Sequence, residues 1–324
     1  MRGVLSGPVK AGLIGVTTAG AVAGMAGAAF AALVRQGRVA TSAIERYALD
    51  AAREQGLLPV GDLPPGYAPS DLPVPFADGV YLPGAAEPLS EPVAAPVPEP
   101  VPVADAPDAL TFAMLGDSTS VGYGCRTAAE LPGVLLARGI ADATGRPVRL
   151  ISHGKVGSGA DDLAGQVART LADGVDVAVI VTGANDIRDK VSPWHSADRL
   201  GDAVAALRAE GVPVVAGSCP DFGVIVPIPQ PLRSVLHGWS HRLAALQERA
   251  TVASGGRAVS MSRLVSPHFN GHPEFFSPDR FHPSGTGYAK AVEALLPVVL
   301  EALESDGPVA GGAVDGTARL PETA

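Results

Sequence analysis

A serine and a histidine stand in settings that suit nucleophilic catalysis, although they lie far apart in the chain. Ser118 follows a short apolar run, Thr111–Leu115, and His282 comes three residues after Asp279. A serine hydroxyl is a weak nucleophile that needs a base, a group to orient the base, and donors for the developing oxyanion. We therefore predict Ser118 as nucleophile, His282 as general base and Asp279 as its supporting carboxylate. A histidine that caps the following helix is the alternative for His282.

Two other segments offer hydrogen-bond donors. Asn185 follows the most apolar run of the chain, and its side-chain amide can donate to an oxyanion. The glycine-rich stretch 157–160 follows another apolar run, and its backbone N–H groups can form a nest for negative charge. A simple turn is the alternative for both, since asparagine and glycine are common turn residues.

These residues follow strands in an alternating pattern of strands and helices. Short apolar runs predict strands at Thr111–Leu115, Val148–Ser152, Val175–Val181, Pro213–Gly217 and Arg257–Met261. Helical spacing predicts helices at Leu131–Thr144, Asp161–Ala172, Ser196–Glu210, Leu232–Ala253 and Ser284–Glu304. Such alternation predicts an α/β fold with a parallel sheet and helices on both faces. Ligands of open α/β sheets bind at the carboxyl ends of the strands, where the candidate residues would meet.

Four sequence blocks, in this order, resemble the SGNH/GDSL hydrolase family. They are Gly116-Asp117-Ser118, Ser158-Gly159, Gly183-Ala184-Asn185-Asp186 and Asp279-x-x-His282. The resemblance covers about residues 110–303. It implies a flavodoxin-like three-layer α/β/α sandwich with a five-stranded parallel sheet, and ester hydrolysis through Ser118, His282 and Asp279. It also implies an oxyanion hole made of the Ser118 N–H, the Gly159 N–H and the Asn185 amide, with Gly157 as a rival to Gly159.

The loop 221–231 is unusually apolar and follows the fourth predicted strand. We predict that Phe222, Val224 and Ile225 form an acyl-binding wall beside Ser118, and we add Asp117 to the substrate-binding residues. Such a wall favours a lipid-like or aryl ester as the small-molecule substrate. A crossover packed in the core is the alternative reading of this loop.

The N-terminal third has a different organisation. Residues 11–34 form a run without a charged residue, and this run is long enough to cross a bilayer. We predict a membrane anchor or signal segment at 1–34, with a cleaved signal or a packed helix as the alternatives. A helical stalk at 35–58, a linker at 59–108 with 14 prolines, a hydrolase domain at 109–305 and a disordered tail at 306–324 complete the division. This arrangement predicts a membrane-anchored or secreted bacterial-type protein with an extracytoplasmic hydrolase domain.

Charge and cysteine usage exclude several classes of function. The formal net charge of −9 includes −7 from residues 59–107, so the rest of the chain is nearly neutral. Nucleic-acid binding is not expected, because it requires a basic patch. Neither a cofactor nor a metal is predicted, since no dinucleotide fingerprint or zinc-ligand spacing occurs. Cys125 and Cys219 are either buried thiols or a disulfide pair.

Three functions remain open at this stage. The first is a tethered esterase or lipase, and the second is an acyltransferase or deacylase that acts on a cell-envelope sugar or lipid through the same site. The third is a tethered binding module with a relic site. The matches in all four blocks favour an enzyme.

Overall fold

The computed structural model describes residues 11–58, 71–84 and 108–306, with side chains from residue 27 onward. The first ten residues, most of the predicted linker and the predicted tail after residue 306 lie outside the described residues.

One six-stranded sheet forms the centre of the protein. Its strands are β1 (Gly79–Tyr81), β2 (Leu110–Gly116), β3 (Val148–Ser152), β4 (Val177–Val181), β5 (Val214–Gly217) and β6 (Arg257–Val259). The strands lie in the order β1-β3-β2-β4-β5-β6. Strands β2 to β6 are parallel, and β1 pairs antiparallel with β3. The five predicted strands therefore form the parallel part of the sheet, in a flavodoxin-like order.

Helices cover both faces of this sheet. The α-helices of the described residues are α1 (Ala11–Glu54), α2 (Ser118–Val121), α3 (Pro132–Thr144), α4 (Leu163–Asp173), α5 (Ala184–Arg188), α6 (Pro193–Ala209), α7 (Leu232–Ala253) and α8 (Gly285–Asp306). Alternate residues of the central strands point to opposite faces, as strand geometry requires. One set packs with α3 and α8, and the other packs with α4 and α6. The result is the predicted three-layer sandwich.

Strand β1 corrects the interpretation of residues 59–108 as linker alone. Tyr81 is 1% exposed, and its hydroxyl donates to the Ala77 carbonyl at 2.6 Å. The three residues of β1 lie between Pro75 and Pro83 and include no proline, so their backbone N–H groups are available to pair with β3. Part of this acidic, proline-rich segment thus belongs to the folded domain.

Helix α1 corrects the interpretation of residues 35–58 as a helical stalk. Three alanines on one side of α1, Ala40, Ala48 and Ala52, are buried against the rest of the protein. Their small side chains let the helix approach its neighbours closely. Among the described residues, no helix combines the length and the hydropathy that a membrane crossing needs. The predicted anchor at 1–34 is therefore not confirmed, and it stays a prediction.

Gly116 ends β2 at a point where two strands approach each other closely. Its φ of +129° is one that residues with a side chain rarely adopt. A Cβ atom at this position would lie 1.8 Å from the carbonyl oxygen of Val181 at the end of β4. The chain can therefore turn from β2 into Ser118 only because residue 116 has no side chain.

We predict that Gly116→Ala lowers the free energy of unfolding by about 3 kcal/mol or more, because backbone strain and steric overlap add at this position. Gly145→Ala is the matched control, since Gly145 has a φ of +67° but open space around its Cβ position. The control is expected to lose about 1 kcal/mol. Urea unfolding measures both variants, and equal losses would contradict this account of the β2–β4 contact.

Candidate active site

The structure brings Ser118, His282 and Asp279 into one hydrogen-bonded chain. The Oγ atom of Ser118 lies 3.0 Å from Nε2 of His282, and Nδ1 of His282 lies 2.6 Å from Oδ2 of Asp279. Both distances are those of good hydrogen bonds. If Nδ1 carries the proton and donates a hydrogen bond to Asp279, Nε2 is left to accept the hydrogen bond from the Ser118 hydroxyl. The geometry therefore allows His282 to take a proton from Ser118.

Ser118 is held at the carboxyl end of β2 by the backbone that precedes it. It is the first residue of α2, and it is 5% exposed. The buried side chain of Gln166 donates to the Gly116 carbonyl at 3.0 Å and accepts from the Gly116 N–H at 2.7 Å. Sequence reasoning missed this support, because Gln166 is one polar residue within an otherwise amphipathic helix.

The carboxylate of Asp279 is buried, and it is surrounded by donors. In addition to His282, its Oδ1 atom accepts from the Ser277 hydroxyl at 2.7 Å and the Phe281 N–H at 2.8 Å. Burial by itself would raise the pKa of Asp279, but the neighbouring His282 and these hydrogen bonds lower the pKa below its ordinary value. Asp279 is therefore well suited to remain ionised and to hold the imidazole.

Aromatic rings restrict the imidazole from two sides. The Tyr123 ring lies 4.5 Å from the His282 ring between centroids, and the Phe281 ring lies 4.9 Å away in an edge-on arrangement. Tyr123 lies two residues after α2, and it carries no sequence signal for this role. Packing together with the Asp279 contact fixes the plane of the imidazole.

Asn185 lines the same cleft as Ser118, at the start of α5. Its Nδ2 atom donates one proton to the Ser158 carbonyl at 2.8 Å, and an amide nitrogen has a second proton to donate. The neighbouring Asp186 is buried and accepts from the Ala160 N–H at 3.1 Å. Asn185 and Asp186 therefore tie the end of β4 to the glycine-rich loop that follows β3.

Gly159 differs from its predicted role. Its N–H donates to the Asp162 carboxylate at 2.8 Å, so this donor is already engaged. Gly157, the rival donor, lines the cleft with Ser118 and Asn185. The difference arises because the side chain of Asp162, one turn further on, reaches back to the Gly159 N–H like the acidic member of a capping box.

Asp117 does not contact substrate-accessible space, which corrects its place among the substrate-binding residues. It is 1% exposed, and its Oδ1 atom accepts from the Thr119 N–H at 2.8 Å, as an N-cap of α2 does. Burial raises the pKa of Asp117 above its ordinary value, although the Thr119 hydrogen bonds oppose that shift. Its role is to begin the short helix that carries Ser118.

The predicted acyl-binding wall divides into two parts. Phe222 lines a cleft of about 830 Å³ that also contains Ser118 and His282. Val224 and Ile225 line an adjoining cavity of about 80 Å³ to which Phe222 and His282 also contribute, and Ile225 is buried in an apolar cluster with α7. Neither residue lines the larger cleft that contains Ser118, so the place of Val224 and Ile225 in an acyl-binding wall is not confirmed and stays a prediction.

The structure also locates the cysteines and a group of metal-ligand type. Cys125 and Cys219 are both free thiols. Within the described ranges, Asp221, His237 and His241 form the one group whose ligand atoms lie within 4.8 Å of one another. None of these three residues lines the cleft that contains Ser118.

Comparisons with known proteins agree on one family. The profile of the GDSL-like lipase/acylhydrolase family matches residues 114–290. The GDSL-like esterase Rv1075c of Mycobacterium tuberculosis is 42% identical over 232 residues, which are 71% of this chain and 70% of that protein.

Two solved structures are also similar. A lipase/acylhydrolase from Enterococcus faecalis has 22% identity and a TM-score of 0.46, covering 58% of this chain and 94% of its own. An acetylxylan esterase from Geobacillus stearothermophilus, Axe2 in a catalytic mutant, has 15% identity and a TM-score of 0.48, covering 59% and 94%.

The α/β fold, the site at the carboxyl edge of its sheet and the esterase relative define an ester hydrolase. The chain belongs to the GDSL-like lipase/acylhydrolase family, as its sequence blocks predict. The matched residues include Ser118, Asn185, Asp279 and His282 and exclude β1 and α1.

We predict that Asp117→Asn and Asp279→Asn change stability with opposite signs at pH 7. The pKa of Asp117 is raised, so its stabilising contribution is present below the ordinary value of 3.8 and is lost as pH rises through the raised pKa. Asn keeps the cap without a buried charge and should be more stable at pH 7, by about 1–3 kcal/mol.

Asp279 is the matched control. Its pKa is lowered, so its contribution is present above 3.8 and is lost as pH falls through the lowered pKa. Asp279→Asn should therefore be less stable than wild type at pH 7, with a difference that shrinks in acid. Urea unfolding between pH 3 and 7 measures both, and a destabilised Asp117→Asn at pH 7 would refute the interpretation of Asp117.

Proposed function

We propose that this protein hydrolyses carboxylic esters through a covalent acyl-enzyme on Ser118. The 3.0 Å contact between Ser118 Oγ and His282 Nε2 carries the proposal. As Oγ bonds to the ester carbonyl carbon, its proton passes to Nε2, and Asp279 stabilises the resulting imidazolium. His282 then returns the proton to the departing alkoxide oxygen. Water repeats the sequence on the acyl-enzyme, which releases the carboxylic acid and restores Ser118.

The oxyanion of each tetrahedral intermediate needs donors opposite His282. We assign this role to the Ser118 N–H and to the free proton of Asn185 Nδ2, which lines the cleft beside Ser118. The Gly159 N–H can join them only when its hydrogen bond to Asp162 opens. Loss of a donor of this kind typically costs about 10²–10³ in kcat.

The direct test is labelling of the full-length protein with a fluorophosphonate probe, which forms a covalent bond with an activated serine. Wild type should be labelled, and Ser118→Ala should lose both labelling and ester hydrolysis. Ser120→Ala is the matched control, because Ser120 is buried two residues away and its hydroxyl donates to the Asp117 carbonyl at 2.7 Å. Retained hydrolysis in Ser118→Ala, or loss of labelling in both variants, would contradict the assignment.

A membrane tether is the second part of the proposal. The uncharged run at residues 11–34 supports it, and with such an anchor the hydrolase domain would lie outside the cytoplasm of a bacterial cell. After expression in a bacterium, carbonate-washed membranes should retain the full-length protein. Val22→Arg places a charge within the run and should lower the retained fraction. Complete release of wild type by the wash would end this part of the proposal.

A further inference from the structure

The active-site cleft has one wall that the family-matched residues do not provide. Helix α1 lies outside residues 114–290, yet it lines the same cleft of about 830 Å³ as Ser118 and His282. Four positions on one face of α1, beyond the uncharged run at 11–34, contribute to this wall: Gly37, Thr41, Ile44 and Ala48. Their spacing of three or four residues places them in a row along the helix. The wall is therefore a continuous face that extends along the cleft.

Helix α7 and the residues before it line another part of the cleft. Val235, Leu236 and Trp239 line the cleft from α7 at the same helical spacing, and Phe222 and Ile228 line it from the preceding loop. Val235 is 46% exposed despite its apolar side chain. Two apolar helical faces thus border an open space that leads to the nucleophile.

Specific contacts fix α1 in this position. The Gln36 side chain donates to the Gln230 carbonyl at 2.7 Å and accepts from the Leu232 N–H at 3.0 Å, which joins α1 to the start of α7. Further along α1, the Arg280 guanidinium lies 4.6 Å from the centre of the Tyr47 ring. Because Arg280 directly follows Asp279, this contact connects α1 to the segment that carries His282.

The chemistry of the cleft indicates what it binds. Its charged residues are three cations, Arg38, Arg188 and Lys190, and two anions, Glu45 and Asp279, so charge does not select an ionic ligand. Its volume lies in the range of small-molecule sites, which are mostly apolar with a few polar groups. An ester whose carbonyl carbon is held at Ser118 would place an attached alkyl or aryl group between α1 and α7.

We propose that α1 completes a binding subsite for the apolar group of the ester substrate, so that this enzyme prefers esters with an extended alkyl or aryl group. The inference rests on the proposed function of Ser118. The apolar group can belong to the acyl or to the alcohol half of the ester, and both have the same chemistry. Helix α1 then acts as a specificity element added to the hydrolase domain.

Two substrate series test the proposal with the full-length protein: p-nitrophenyl esters from acetate to decanoate, and acetate esters of alcohols from ethanol to decanol. In wild type, kcat/KM should rise by up to about fourfold per methylene in at least one series until the cleft is filled, because each buried methylene contributes about 0.8 kcal/mol. The rising series identifies which half of the ester occupies the cleft.

The variant Thr41→Trp fills the cleft from the α1 side and should lower the ratio of long-chain to short-chain kcat/KM at least tenfold. Val39→Trp is the matched control, since Val39 is exposed on the same helix and does not line the cleft. It should keep the wild-type ratio. Ile44→Ser, which removes apolar surface from the wall, should lower the ratio in the same direction, and melting curves verify that each variant is folded.

Two results would overturn the proposal. One is a flat or falling kcat/KM along both series in wild type, and the other is an equal effect of Thr41→Trp and Val39→Trp on the ratio. Ser118→Ala, measured with the acetate ester alone, tests the proposed function separately. If Ser118→Ala is inactive and either of these two results is also obtained, the role of α1 is rejected and the role of Ser118 stays intact.

Discussion

The hydrogen bond between Ser118 and His282 joins two segments at opposite ends of the hydrolase domain. Neither residue can reach the other through local structure, so the contact depends on the parallel sheet and on the loops at its carboxyl edge. Gly116 permits the turn that presents Ser118, and the hydrogen bonds to Asp279 fix the turn that presents His282. The Gln166 contacts with Gly116 and the Tyr123 ring beside His282 also support the two ends of this contact.

Two buried aspartates near this contact show how their surroundings determine their ionisation. Asp117 and Asp279 are 1% and 3% exposed, and burial penalises the charge of both. For Asp279, the adjacent imidazole and several donors more than offset the penalty, and the pKa falls. For Asp117, the hydrogen bonds from Thr119 do not offset the penalty, and the pKa rises. One carboxylate is suited to hold a charge beside the His282 imidazole, whereas the other caps a helix.

The sequence predicts the bounds of an element correctly where the local pattern of residues alone defines that element. Strand β3 and helix α7 have their predicted bounds, because the turn residues Gly145 and Pro147 precede the short run of β3 and a long amphipathic period defines α7. Strand β1 is three residues long within a proline-rich segment, so it has almost no local signal. The position of α1 over the cleft depends on alanines and on Gln36, whose types do not identify what they pack against. The engagement of Gly159 with Asp162 depends on a side-chain orientation that spacing alone does not define.

The tautomer of His282 is the most direct test of this account. Nitrogen-detected NMR of the 15N-labelled protein distinguishes the two ring nitrogens, and the His282→Gln variant assigns the signals. When the ring is neutral, the account predicts a proton on Nδ1, facing Asp279, and an unprotonated Nε2 that accepts from Ser118. A neutral ring protonated on Nε2 would contradict it, because that nitrogen could not then act as the base for Ser118.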